Sequence, residues 1–219
     1  MYQNIADTEV SASAAASSIV SQIQAWGRGA IEPIHIIDAY NEVANNFAVG
    51  TNDLSQALEI SAAGMATYGN TFEENALIKA KTIHNYLNDK NLDYLVMADD
   101  SGLCCDSLDG APGIYSARYA EEHNDQANRD KLIKDLEGKD KSAYFNCTIV
   151  LYYPNDEYKV FVGKTYGIII EEEKGKTDFG YDPIFYSNDL NKTFGEASEE
   201  EKNRVSHRGR AINEMLKEL

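Results

Sequence analysis

The sequence predicts an α/β fold built on a mixed sheet, and three observations carry that prediction. Apolar residues recur at helical spacing in several separate segments. A short continuous apolar run at 95–98, bounded by polar residues, reads as a strand. Between residues 143 and 170, strand-like runs follow one another at hairpin spacing. Helices alternating with strands early and hairpins later make the sheet mixed. At 219 residues the chain can form one large domain or two small lobes around a cleft.

The elements are justified in chain order. Residues 9–27 are rich in Ala and Ser and lead into Ile19, Val20, Ile23 and Trp26 at helical spacing. They predict a helix over 14–26, ended by Gly27 and Gly29, and then a strand over Ile34–Ile37. Residues 39–68 give no firm pattern beyond a short apolar run at Phe47–Val49 and a Gly-Thr-Asn-Asp turn. Thr71 and Glu74 form a T-x-x-E capping box, so a helix begins there, with Leu77, Ala80, His84 and Leu87 on one face. The 95–98 run is expected to be buried on both sides and to feed a loop carrying Gly102, Gly110, Pro112 and Gly113. A helix follows over 125–137, with Leu132, Ile133 and Leu136 inward. Three strands are expected at 143–153, 158–163 and 165–170, punctuated by Pro154-Asn155-Asp156 and by Gly163-Lys164. Ser198-x-x-Glu201 is a second capping box, and Ala211, Ile212, Met215 and Leu216 support a final helix.

Charge narrows the partners. The formal net charge of −16 repels nucleic acid and anionic membranes from the molecule as a whole, but leaves room for a small anion wherever cations gather. They gather late. Residues 1–78 contain Arg28 and no lysine, whereas Lys202, Arg204, Arg208 and Arg210, with His207 among them, fall within nine residues. Cys104, Cys105 and Cys147 lack metal-ligand spacing and read as reduced thiols. No apolar run approaches the ~20 residues of a membrane helix. The N-terminus shows no targeting pattern, and cytoplasm is the expected compartment.

Three stretches carry candidate chemistry. Asp99 and Asp100 follow the buried strand, where open α/β sheets place ligands, and successive strand positions give the two carboxylates different jobs. An Asp-Asp-Ser-Gly string also suits a plain turn. Phe179-Gly180-Tyr181-Asp182-Pro183 combines aromatics with a carboxylate and fits either a packed turn or a platform for a flat, hydrogen-bonding ligand. The run Lys202–Arg210 fits a solvated helix face, except that Ser206-His207-Arg208-Gly209 breaks the helical pattern and predicts a loop with donors aimed at phosphate or a 6-oxo purine. Lys79, one turn into the helix opened at Thr71, is a further phosphate candidate or a solvated lysine.

Together these stretches resemble one family. The strings are Thr71-Phe72-Glu73-Glu74-Asn75-Ala76-Leu77-Ile78-Lys79-Ala80, Asp99-Asp100-Ser101-Gly102-Leu103, Gly110-Ala111-Pro112-Gly113-Ile114-Tyr115-Ser116-Ala117-Arg118-Tyr119, Phe179-Gly180-Tyr181-Asp182-Pro183-Ile184-Phe185, and Glu201-Lys202-Asn203-Arg204-Val205-Ser206-His207-Arg208-Gly209-Arg210-Ala211. In this order, over about residues 69–219, they resemble the non-canonical purine nucleoside triphosphate pyrophosphatases, or inosine triphosphatases. The resemblance implies an elongated mixed sheet with two lobes around a central cleft, usually in a homodimer. It implies a pyrophosphatase core over 69–219 and a divergent region over 1–68, read as part of the same domain.

The implied reaction is hydrolysis of ITP, dITP or XTP to the monophosphate and pyrophosphate, with Mg²⁺. On this resemblance Asp100 is the general base and a metal carboxylate, supported by Asp99 as a second metal-site carboxylate. Ser101 and Lys79 contact phosphate or ribose. Phe179, Gly180, Tyr181, Asp182, Lys202, His207 and Arg208 hold the base and its phosphates. The family's N-terminal Ser/Thr-x-Asn-x-x-Lys phosphate loop is not found: Gly50-Thr51-Asn52-Asp53-Leu54-Ser55 is the nearest string, with serine where the lysine belongs. Thr67 stands where an acidic metal ligand is expected. Three readings follow: an active enzyme with altered phosphate binding, a catalytically weakened nucleotide-binding or interaction protein, and an altered N-terminus on a family core.

Overall fold

The computed structural model describes residues 70–121, 124–176 and 179–218. The helix expected at 14–26 and the strand at 34–37 lie outside the described residues.

The first helix, α1 (Phe72–Asp89), starts at Thr71, whose hydroxyl accepts from the Glu74 amide while the Glu74 carboxylate accepts from the Thr71 amide, so the predicted capping box forms in full. Its buried face carries Asn75, Ala76, Ala80, His84 and Leu87. That face lies on β1 (Val96–Cys105) and on β2 (Ser142–Tyr152). Between β1 and β2 come two 3₁₀ turns and α2 (Asp125–Asp135), with Leu132 and Leu136 buried as the periodicity requires. Then follow β3 (Tyr158–Ile169), the short β4 (Phe185–Ser187) and β5 (Lys192–Thr193), and two helices, α3 (Glu199–Val205) and α4 (His207–Leu216).

The strands pair in chain order, β1-β2-β3-β4-β5, and every pairing among the described residues is antiparallel. The parallel pairing that a mixed sheet requires does not occur among the described residues. Paired residues in an antiparallel ladder share a face, which sorts the core into two sides. Val96, Val150 and Tyr152 pack under α1 on one side. Cys147, Ile149, Leu151 and Phe161 pack under Ala211 and Met215 of α4 on the other. Leu103 and Phe145, paired in register on the α4 side, join Phe185, Phe194, Tyr181 and the α2 leucines in the largest cluster.

Three strand expectations change. The 95–98 run is not buried on both sides, since Leu95 and Met97 are 45% and 56% exposed. Nor does the strand stop there: all ten residues of β1, including Asp99-Asp100-Ser101-Gly102, stay in register with β2. Asp, Ser and Gly are turn-prone alone, but a continuous ladder satisfies their backbone and overrides the local preference. Gly102 is required there because a Cβ would sit 2.2 Å from the Gly113 carbonyl oxygen, where the next loop lies against β1. The Gly163-Lys164 break is likewise absent. At Gly163 β3 runs straight beneath α4, and a Cβ would lie 2.1 Å from the His207 carbonyl oxygen and 2.3 Å from the Ala211 nitrogen. That glycine permits close helix-on-strand packing rather than a turn.

Candidate active site

Asp99 and Asp100 sit in mid-strand and face opposite sides of the sheet. Asp100 turns toward α1. Its Oδ1 accepts from Lys79 Nζ at 2.9 Å, and its Oδ2 accepts from Asn75 Nδ2 at 3.1 Å. Lys79 Nζ also donates to the Asp99 carbonyl oxygen at 2.6 Å. Asn75 and Lys79 are four apart on one helix, so a single face of α1 presents both donors, and the cap at Thr71 fixes where that face begins. Burial pushes the Asp100 carboxyl above the ordinary carboxylate value, outweighing the downward pull of Lys79 and Asn75. The negative charge of Asp99 pushes it further the same way.

Asp99 turns toward α4. Its Oδ2 accepts from Arg208 Nη2 at 2.9 Å, from Ser101 Oγ at 2.9 Å and from Cys147 Sγ at 3.7 Å. Burial acts to raise this carboxyl, but Arg208, with Lys79 and Ser101, holds it below the usual range. Cys147 is driven the other way, up to about 11, chiefly by burial and then by the Asp99 charge, so it stays a thiol. Two adjacent carboxylates thus acquire opposite proton affinities, one raised on the α1 side and one lowered on the α4 side.

The basic run lies beside Asp99. Its predicted loop shrinks to one residue: Ser206 ends α3, and its hydroxyl caps α4 by accepting from the Gly209 amide. His207 and Arg208 are therefore the first residues of α4, aimed by a cap rather than by a loop. The His207 ring stacks on Phe145 with centroids 4.9 Å apart and planes 13° from parallel. Burial holds its pKa down to about 3, helped by the Arg208 and Lys202 charges, so the ring is neutral near pH 7. Its Nδ1 is buried and has no hydrogen-bond partner among the described residues. Lys202 pairs with the Asp182 carboxylate, and its ammonium lies 5.4 Å from the Phe179 ring centre and 5.5 Å from that of Phe194. Asp182 is deeply buried, and burial raises its carboxyl despite Lys202.

The aromatic platform is narrower than expected. Tyr181 is 5% exposed, packs in the core and donates its hydroxyl to the Ser116 carbonyl oxygen at 2.8 Å. Its ring supports the turn and offers no open face to a ligand, which leaves Phe179, half-buried, as the surface able to stack. Gly180 is held at both backbone polar atoms by α2 side chains. An open groove between β3 and α4, lined by Val162, Lys164, Arg210, Asn213 and Lys217 among others, holds Arg210 of the basic run but none of the residues that the resemblance assigns to the site.

Sequence reasoning gave no role to Asn75, Phe145, Cys147 or Phe194. Asn75 was findable from its i,i+4 spacing to Lys79. Phe145 and Cys147 depend on the β1–β2 register, which no local pattern fixes.

A metal fits only part of this geometry. No group of three His, Cys, Asp or Glu side chains among the described residues could hold an ion. Each Asp100 oxygen accepts one hydrogen bond among the described residues and keeps acceptor capacity, as suits Mg²⁺, which takes one or two carboxylates and fills its sphere with water and phosphate. Asp99, turned to the opposite face and occupied by Arg208 and Ser101, does not converge with Asp100 on one ion.

This sheet, with helices on both faces and an acidic pair in the strand under α1, has the fold of solved Ham1 proteins. The Staphylococcus aureus Ham1 protein matches with TM-score 0.62 at 46% identity, over 68% of this chain and 76% of that one. A HAM1 protein from Coxiella burnetii matches with TM-score 0.63 at 38% identity, over 69% and 79%. The Ham1 family's sequence profile matches residues 38–218, and the chain belongs to the Ham1 family. That match begins upstream of residue 69, where the recognisable motifs start. Among its relatives, the dITP/XTP pyrophosphatase of Clostridium perfringens is 43% identical over 84% of this chain and 92% of its own length. That of Bacillus licheniformis is 49% identical over 67% and 74%.

Proposed function

We propose that this chain hydrolyses non-canonical purine nucleoside triphosphates (ITP, dITP and XTP) to the monophosphate and pyrophosphate. The observation that carries the reading is the half-buried Asp100, oriented by Lys79 and Asn75 and raised in proton affinity, one residue from an Asp99 locked to Arg208. Relatives named dITP/XTP pyrophosphatase support it.

Asp100 orients a water and takes its proton. The water oxygen attacks the α-phosphorus, the α–β P–O bond breaks, and its electron pair leaves with pyrophosphate. Lys79 and Ser101 meet phosphate or ribose oxygens. Phe179 stacks on the purine, with Gly180, Asp182 and Lys202 shaping the edge of that platform. His207 and Arg208 face the 6-oxo group, against which the 6-amino group of adenine would leave a donor unpaired. When Mg²⁺ is bound, held by Asp100 and the triphosphate, it neutralises phosphate charge. Asp99 serves by setting Arg208 and by keeping its own negative charge beside Asp100.

The acidic net charge favours a small-molecule substrate over nucleic acid or a membrane surface. Among the described residues no helix is long and apolar enough to cross a membrane. We place the protein in the cytoplasm as a homodimer, with residues 1–68 in one domain with the core; the family match from residue 38 supports that domain reading for 38–68.

Paired assays of dITP and dATP with Mg²⁺, reading pyrophosphate, test the assignment. Cleavage of dITP should exceed that of dATP by about tenfold or more, the factor for one buried unpaired donor. Equal cleavage contradicts 6-oxo recognition, and tight ITP binding without turnover favours the nucleotide-binding reading.

A further inference from the structure

The turn at 179–182 is gripped from a helix that contributes nothing to the chemistry described so far. The amide of Gly180 donates to Asp125 Oδ2 at 2.9 Å, and the carbonyl oxygen of the same residue accepts from Arg129 Nη1 at 2.8 Å. Asp125 and Arg129 are four apart in the first turns of α2, so one helix face holds both polar atoms of one peptide residue. Arg129 is the largest fully buried side chain described. Its other two nitrogens donate as well: Nε to Glu173 Oε1 at 2.7 Å, and Nη2 to Gln126 Oε1 at 2.9 Å. Gln126 Nε2 in turn donates to the same Glu173 oxygen at 2.9 Å.

Glu173 is anchored through its neighbour. The Lys174 amide donates to the Pro183 carbonyl oxygen at 2.9 Å, and the Lys174 carbonyl oxygen accepts from Thr193 Oγ1 at 3.2 Å. The guanidinium therefore joins α2, the segment that follows β3 and the 179–183 turn at one point. A buried cation with this many charge-assisted bonds does not shift without leaving charge unpaired, so the turn it holds is fixed. Flanking Gly180 in that turn are Phe179, under the Lys202 ammonium, and Asp182, paired with the same ammonium.

We propose that Asp125 and Arg129 form a latch on Gly180 that sets the position of Phe179 and of the Asp182–Lys202 pair, making both latch residues positioning residues for purine binding. This rests on the proposed function. The latch acts on where the base lies and leaves Asp100, on the far face of β1, untouched. Its loss is therefore expressed in KM more than in kcat.

The test is steady-state kinetics on ITP for the full chain, wild type beside Asp125→Ala, Asp125→Asn and Arg129→Leu, with thermal melts of each. Asn at 125 keeps an oxygen for the Gly180 amide, whereas Ala does not. KM should rise about tenfold in Asp125→Ala and in Arg129→Leu, with kcat within about threefold of wild type, and Asp125→Asn should restore most of the loss. If Arg129→Leu fails to fold, the Asp125 pair decides alone. Unchanged KM in Asp125→Ala, or equal losses in the Ala and Asn variants, overturns the latch. A wild-type chain that does not turn over ITP overturns the proposed function instead, and that result is read first.

Discussion

Asp100 carries its ionisable group where ionisation is costly, and that cost is what makes it a base. Only the ionised form can accept the water's proton, so kcat/KM falls on the acid side as Asp100 protonates, at a pH above the ordinary carboxylate value of 3.8. Asp99, held below that value by Arg208, stays ionised through the same range and does not set the limb. Lys79 is the largest influence opposing burial at Asp100. Lys79→Met should therefore move the acid limb of the residual activity to higher pH, and a pH–rate profile checks it. A limb unchanged in that variant assigns the titration to another group. These pairings were legible only in part. Lys79, Asp100 and Arg208 stand out as charges in motifs, but which oxygen each donor meets is decided by a register and a helix rotation that lie outside the motif strings.

At the scale of the element, the contact that most constrains the site is α4 on β3. Ser206 starts α4 and Gly163 lets it settle onto the strand, and that seating sets where His207 and Arg208 point. Gly163→Ala places a methyl against helix backbone that has no rotamer to give. It should destabilise the protein by about 1–3 kcal/mol, a fall in Tm of several degrees, and should raise KM as α4 lifts. Thermal melts with ITP kinetics test both, and an unchanged melt contradicts the close packing. Both capping boxes and the inward leucines of α2 were readable because caps and helical periodicity are local. The length of β1 and the continuity of β3 were not. Asp-Asp-Ser-Gly and Gly-Lys look like breaks in one dimension, and only the partner strand and the overlying helix show why they are not.

Across the whole molecule, the sheet works as a divider with chemistry on both faces. α1 brings an amide and an ammonium to Asp100 from one side, and α4 brings a guanidinium and a neutral imidazole to Asp99 and its surroundings from the other. The fold class and the family were visible in motifs from residue 71 onward, whereas the division of labour between the two carboxylates needed strand alternation together with the placement of both helices. Burial also ties stability to function here. A carboxyl raised in the folded state stabilises that state when protonated; this contribution is full below the unfolded value of 3.8 and is lost as pH rises through the folded value. At neutral pH an ionised Asp100 is thus a cost that activity requires.

The most direct test is pyrophosphate release from ITP with Mg²⁺ by wild type and by Asp100→Asn, each with its melt. The variant should lose about 10²–10⁴-fold in turnover while melting no lower than wild type. Turnover preserved in Asp100→Asn, with the fold intact, would contradict the assignment of Asp100 as the base.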